Sequence, residues 1–185
     1  MNVSAKIQDA LKYIDNEPLG FAKEMGIDPA LTAGDAVVDL KLGFLLAKDL
    51  SIDDVNVHAH ADLKSVSMQN VVFDKDVTQG ELTLSVDKTK MDVSGVALMT
   101  DVPINLTWTE NFDDKAPFRA RYEIGASIDD VQKVESLGVD VSMLTDDIVQ
   151  GGVDTTVRYT LLDERSGRFE IDAVLVRAVM KLLMI

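Results

Sequence analysis

No cysteine occurs in this chain, so neither a disulfide framework nor a thiolate metal site is open to it. Histidine is nearly as scarce. The only two, His58 and His60, form an HxH with Asp62 next on the same strand face. That spacing can supply two metal ligands, but the sequence marks no third, and a site needs several that converge; no metal and no cofactor is assigned. Basic residues are outnumbered, 18 Lys and Arg against 32 Asp and Glu, for a formal net charge of −14. Nucleic acid is thereby excluded as a partner, because binding it requires a basic patch that neutralises phosphates, and the close pair Arg119 and Arg121 is too small to reverse the balance. Long apolar runs are missing too. Residues Met1 to Asp15 carry charge early and lack a signal peptide's apolar core. The greasiest stretch, Ala173 to Ile185, is broken by Arg177 and Lys181 and falls short of the roughly 20 residues a membrane span needs.

Catalytic patterns are equally thin. GxSxG, the P-loop and GxGxxG do not occur, and Gly151-Gly152 reads as a turn. The acid pairs Asp53/Asp54, Asp113/Asp114, Asp129/Asp130 and Asp146/Asp147 stand before or between predicted elements, where Asp favours turns and caps by bonding nearby backbone N–H groups. Their spacing also fails the EF-hand pattern of alternating ligands closed by a Glu. The chain therefore reads as a non-enzyme with no catalytic residues; the rival is a hydrolase using paired acids such as Asp54 or Asp129.

What the chain has in abundance is alternation. Val55, Val57, Ala59, Ala61 and Leu63 alternate with Asn56, His58, His60 and Asp62; Leu82, Leu84 and Val86 alternate with Thr83, Ser85 and Asp87. Ile104, Leu106 and Trp108 alternate with Asn105, Thr107 and Thr109, and Phe118, Ala120, Tyr122, Ile124 and Ala126 with Arg119, Arg121, Glu123 and Ser127. Strand side chains point alternately to opposite faces, so each segment has one apolar and one wet face.

At 185 residues the chain fits one domain with a helical lead-in. Ile7, Leu11 and Ile14 predict a helix, Pro18 and Gly20 interrupt it before Phe21 to Met25 resume, and Asp28-Pro29 reads as a fresh N-cap with a first-turn proline. From Asp35 the period becomes two. Strands are expected from Asp35 to Leu46, near Asp54, Lys64, Gly80, Met91 and Val102, from Ala116 to Ile128, and near Gly152 and Arg168, joined by short connections as an antiparallel meander. The slip from Met91 and Val93 to Val96 and Leu98 predicts a β-bulge at Ser94-Gly95. Asp129, Gln132, Val131, Val134, Leu137 and Gly138 predict one capping helix over Asp129 to Leu137. The expected architecture is thus mainly β: residues 1–34 form a helical lead-in, and residues 35–185 a long, strongly twisted antiparallel sheet curled into a groove or half-barrel. The abrupt ends suggest a piece of a larger protein.

Many spaced positions carry a family likeness: Gly26-Ile27-Asp28 and Gly34, Asp53-Asp54-Val55, Gly80, Gly95, Val102-Pro103, Trp108 with Glu110, and Pro117-Phe118-Arg119. The runs that hold them are LGFAKEMGIDPALTAGDAVVDLKL, LSIDDVNVHAHADLKSVSM, GELTLSVDKTKMDVSGVALMTDVPINLTWTENF and APFRARYEIGASIDD. From about Leu19 to Val157 the chain resembles the central domain of YhdP-type proteins in the AsmA-like superfamily, which also contains TamB. The resemblance implies a periplasmic module of a Gram-negative envelope protein, held to the inner membrane by an N-terminal anchor that this chain lacks. It also implies outer-membrane biogenesis through phospholipid transport, with acyl chains as partners and no catalytic residues. Val57, Leu84, Ile104, Leu106, Trp108, Tyr122 and Ile124 would line the apolar surface. The alternative is a structural or interaction module of an envelope assembly protein, with that surface sealed as its own core.

Overall fold

The computed structural model describes residues 2–14, 27–43, 56–72, 75–113, 115–128, 149–163 and 166–180. Among them, nine strands form one antiparallel sheet in chain order: β1 (Asn2–Lys6), β2 (Thr32–Gly43), β3 (Asn56–Val72), β4 (Lys75–Val86), β5 (Lys90–Met99), β6 (Val102–Asn111), β7 (Ala120–Ile128), β8 (Val149–Leu161) and β9 (Gly167–Met180). The fold is mainly β and the topology is an antiparallel meander, each strand pairing with its neighbour in sequence. A helix, α1 (Ile7–Ile14), and a single 3₁₀ turn (Pro29–Leu31) are the helical elements among the described residues. Asp28 caps the turn as expected, its carboxylate accepting from the Ala30 N–H at 2.8 Å.

Several expectations are corrected. Asn2–Lys6 pairs with β2 as a strand, in a stretch too short for its period to show. The strands expected near Asp54 and Lys64 are one strand of 17 residues, β3. β7 begins at Ala120 rather than Ala116, because Asp113 folds the preceding chain back on itself, accepting from the Lys115 N–H through its carboxylate and from the Ala116 N–H through its carbonyl, both at 2.9 Å. The helix expected over Asp129 to Leu137 and the one over Phe21 to Met25 lie outside the described residues.

The bulge expected at Ser94-Gly95 is elsewhere. In β5 the odd residues Met91, Val93, Ala97 and Met99 are all buried, Val96 is 53% exposed, and pairing with β6 runs without a slip. The irregularities fall on other strands: between Ala33 and Asp35 in β2, between Leu63 and Val66, Val66 and Met68, and Met68 and Val72 in β3, between Thr78 and Glu81 in β4, and between Gln150 and Gly152 in β8. Ser65 and Gln79, both at φ 51°, are the extra residues that turn the strand over. The inward set accordingly passes from Ala61 and Leu63 to Val66 and Met68 along β3. The Glu81 carboxylate braces the crease by accepting from the Ser65 N–H at 3.1 Å.

Gly95 has a different task from the one its sequence setting suggests. It sits at φ 154° beneath the bulged β4, where an added Cβ would overlap the Glu81 carbonyl oxygen and lie 2.9 Å from Leu82 Cα. Gly34, at φ 133°, admits Ile7 Cδ1 and the Lys64 carbonyl in the same way. The largest of the fully buried side chains, Met99, Ile104, Val66 and Val77, gather at this end of the sheet. Ile7 and Leu11 of α1 join the same cluster.

Gly95→Ala is expected to destabilise the protein by about 2 kcal/mol or more in urea unfolding. Gly125→Ala, whose Cβ would meet nothing nearer than 4.0 Å, should be neutral or stabilising by about 0.5 kcal/mol. Equal effects would refute the close-approach role of Gly95.

Candidate functional site

The register lines up apolar side chains across the whole sheet. One cross-strand row runs Val38, Ala61, Leu84, Val93, Trp108, Tyr122, Tyr159 and Phe169; the next runs Ala36, Leu63, Leu82, Gly95, Leu106, Ile124, Val157 and Ile171. Leu84, Ile104, Leu106, Trp108, Tyr122 and Ile124 therefore share one face, as the alternation requires. The backbone of Val57 stands opposite Leu42, on the same parity, and its side chain is outside the described ones. Sequence reasoning passed over Val93, Tyr159, Phe169 and Ile171, which the pairing register adds to the same rows.

Exposure is graded along the rows. Ile104, Leu106, Trp108 and Ile124 are 2–6% exposed at the centre, Leu84 and Tyr122 are half-buried, and Phe169 and Ile171 on β9 reach 52% and 45%. Aromatic rings stack along one row: Trp108 on Tyr122 at 5.4 Å between centroids, and Tyr122 on Tyr159 at 6.3 Å.

One charged side chain stands among them. Glu110 follows Trp108 on the inward parity of β6 and is 7% exposed. Its Oε2 accepts from Trp108 Nε1 at 3.1 Å, and the Arg119 guanidinium approaches Oε1 at 3.7 Å. Burial pushes the Glu110 carboxyl above its usual range, and the Trp108 N–H and Arg119 oppose this only in part. The Tyr122 phenol is pushed up to about 12, chiefly by burial and next by the Glu110 charge. The strict alternation from Val102 to Glu110 is the signal that could have placed this carboxylate inside.

The opposite face is wet and ordinary. Arg158 bridges Glu123 at 2.7 Å and Glu170 at 3.8 Å, Lys90 pairs with Asp92 at 2.6 Å, and Thr109 donates to Asp92 at 2.8 Å. Such exposed pairs contribute little each. His58 and His60 lie here, beside a shallow cavity of about 150 Å³ that Asp39, Lys41, Ser85 and Asp87 also line. No group of three His, Asp or Glu among the described residues is placed to hold a metal ion. The Asp87 carboxylate, held below its usual range first by the Thr89 hydroxyl, is committed to its turn, accepting from the Thr89 and Lys90 N–H groups at 2.7 and 3.1 Å. Asp113 serves a turn in the same manner. Asp53, Asp54, Asp114, Asp129, Asp130, Asp146 and Asp147 lie outside the described residues. Among the described residues, no helix is long and apolar enough to cross a membrane.

Comparison of the chain with protein-family models, with curated proteins and with solved structures returned no match.

Because the folded pKa of Glu110 is raised, the native state binds more protons than the unfolded chain from the ordinary value of 4.5 up to just above the raised one. Stability should fall as pH rises through that window. Glu110→Gln keeps an acceptor for Trp108 and removes the buried charge, so its melting temperature should fall less across the same window. Asp87 and Asp92, whose pKa values are lowered, act in the opposite sense below 3.8, outside it. Parallel profiles for variant and wild type would show that Glu110 carries none of the dependence.

Proposed function

We propose that this chain is a non-enzymatic segment of a bridge-like phospholipid transport protein of the Gram-negative envelope. Its sheet curls about the apolar face into a groove that receives acyl chains. The observation that carries the reading is the pair of apolar rows crossing the sheet from β2 to β9 without interruption. A diacyl phospholipid carries on the order of 30 CH₂ groups at about 0.8 kcal/mol each, so bare passage through water costs roughly 24 kcal/mol. A continuous aliphatic and aromatic track removes most of that cost without hydrogen bonds that would trap a sliding molecule. The acidic exterior keeps such a module soluble. In this reading the segment lies in the periplasm, as part of a protein anchored in the inner membrane.

A second reading has its own support. Exposures of 2–6% at Ile104, Leu106, Trp108 and Ile124 suit a sealed core in a structural or interaction module. Native mass spectrometry after gentle purification separates the two, since bound phospholipid supports a conduit and a clean apo mass supports a scaffold.

Trp108 is the only tryptophan of the chain and stands on the proposed lipid path. Vesicles with brominated acyl chains should quench its emission, whereas vesicles of the same lipids without bromine should not. Emission indifferent to the bromine would sink the conduit. In the full-length protein, Leu106→Glu should impair lipid movement and Thr107→Glu, on the other face, should not. Because Leu106→Glu buries a charge and can unfold the sheet, Phe169→Glu on the exposed end of the same face serves beside it and should also impair movement.

A further inference from the structure

The two edge strands of the sheet are finished differently. β1 is five residues long and leads directly into α1, which packs Ile7 and Leu11 into the core cluster. β9 runs for 14 residues and, among the described residues, pairs with β8 alone. Proline and lysine, which commonly blunt a free edge, do not occur in it. The direction of its backbone groups follows from two bonds on its inner side. The Leu162 N–H donates to the Ser166 carbonyl at 2.9 Å, and Thr155 Oγ1 donates to the Asp172 carbonyl at 3.4 Å. Even-numbered residues from Ser166 to Asp172 therefore turn their amide groups toward β8, and the alternation of an antiparallel ladder leaves the N–H and C=O groups of Phe169 and Ile171 facing outward. Another strand is what completes such a row.

Side chains on the same stretch define what that strand must carry. Phe169 and Ile171 continue the apolar rows and are 52% and 45% exposed, whereas Glu170 and Asp172, also exposed, alternate with them on the other face. The contact of Glu170 with Arg158, at 3.8 Å, leaves its side chain 46% exposed. Directly opposite residues of a strand pair share a face, so favourable pairing asks for apolar side chains beside Phe169 and Ile171 and basic ones beside Glu170 and Asp172. A second copy meets this poorly. Each copy carries a net charge of −14, and a two-fold pairing centred on Glu170 or Ile171 sets acid against acid. We propose that the β9 edge docks, by strand addition, an extended segment of another protein in which apolar and basic residues alternate. The docking edge is independent of the conduit, since its amide row faces outward whether the apolar face receives acyl chains or is sealed.

The test uses the full chain and a fluorescein-labelled peptide of about eight residues in which valine and lysine alternate. Two control peptides carry glutamate in place of lysine, or the same valines and lysines in separate blocks. In anisotropy titrations the alternating valine–lysine peptide should bind about tenfold more tightly than either control. Glu170→Lys combined with Asp172→Lys should reverse the preference toward the glutamate peptide. Ile171→Pro removes an outward N–H and spares the ladder to β8, so peptide binding should fall about tenfold while the melting temperature stays close to that of wild type. The charge reversal keeps the test decisive if the proline variant fails to fold. Equal binding of the alternating and block peptides, a preference for lysine that survives the charge reversal, or no binding at all overturns the proposal. A chain that sediments as a dimer, and as a monomer after Ile171→Pro, assigns the edge to a second copy and overturns it as well.

Discussion

Antiparallel pairing in strict register is the constraint from which the rest follows. Once Val93 stands opposite Trp108 and Trp108 opposite Tyr122, every second residue along β5, β6 and β7 must share one face. A slip of one residue would turn Ile104, Leu106 and Trp108 outward and bring Asn105, Thr107 and Thr109 in. The hydrophobic effect penalises that slip at every strand at once, which is why the apolar rows run the breadth of the sheet.

Most departures from that regularity gather on β2, β3 and β4. Bulges at Ser65 and Gln79 reverse the facing of β3 and β4, and Gly34 and Gly95 let the displaced backbones approach. The crease turns Val66, Met68 and Val77 into the core cluster that Ile7 also joins. At the opposite end the face is interrupted chemically rather than geometrically. Glu110 is retained inside at an electrostatic cost, moderated by one indole N–H and one guanidinium.

The alternation made the β class, the meander, the inward parity of most strands and the shared face of Leu84, Ile104, Leu106, Trp108, Tyr122 and Ile124 legible before any coordinates. It did so because a period of two is a local property of a half-buried strand. The cap at Asp28 and the helical spacing of Ile7, Leu11 and Ile14 in α1 were legible for similarly local reasons. β1 was not, since five residues ahead of a helix carry too short a pattern. The bulge was placed on the wrong strand because Gly95 has the backbone conformation of a bulge while serving the bulge of its neighbour. Glu110 was readable as inward from Val102 onward, but its partners were not.

By itself, then, the sequence determined which face of each strand would be apolar and excluded thiol chemistry, because parity and residue type are carried by the chain alone. Only the tertiary structure decided that bulges on β3 and β4 would align with glycines on β2 and β5. It alone brought Phe169 and Ile171 into rows with Trp108 and Leu106, and set Arg119 beside Glu110. Those are relations between strands, fixed by register, and register is chosen when the whole apolar face is buried together.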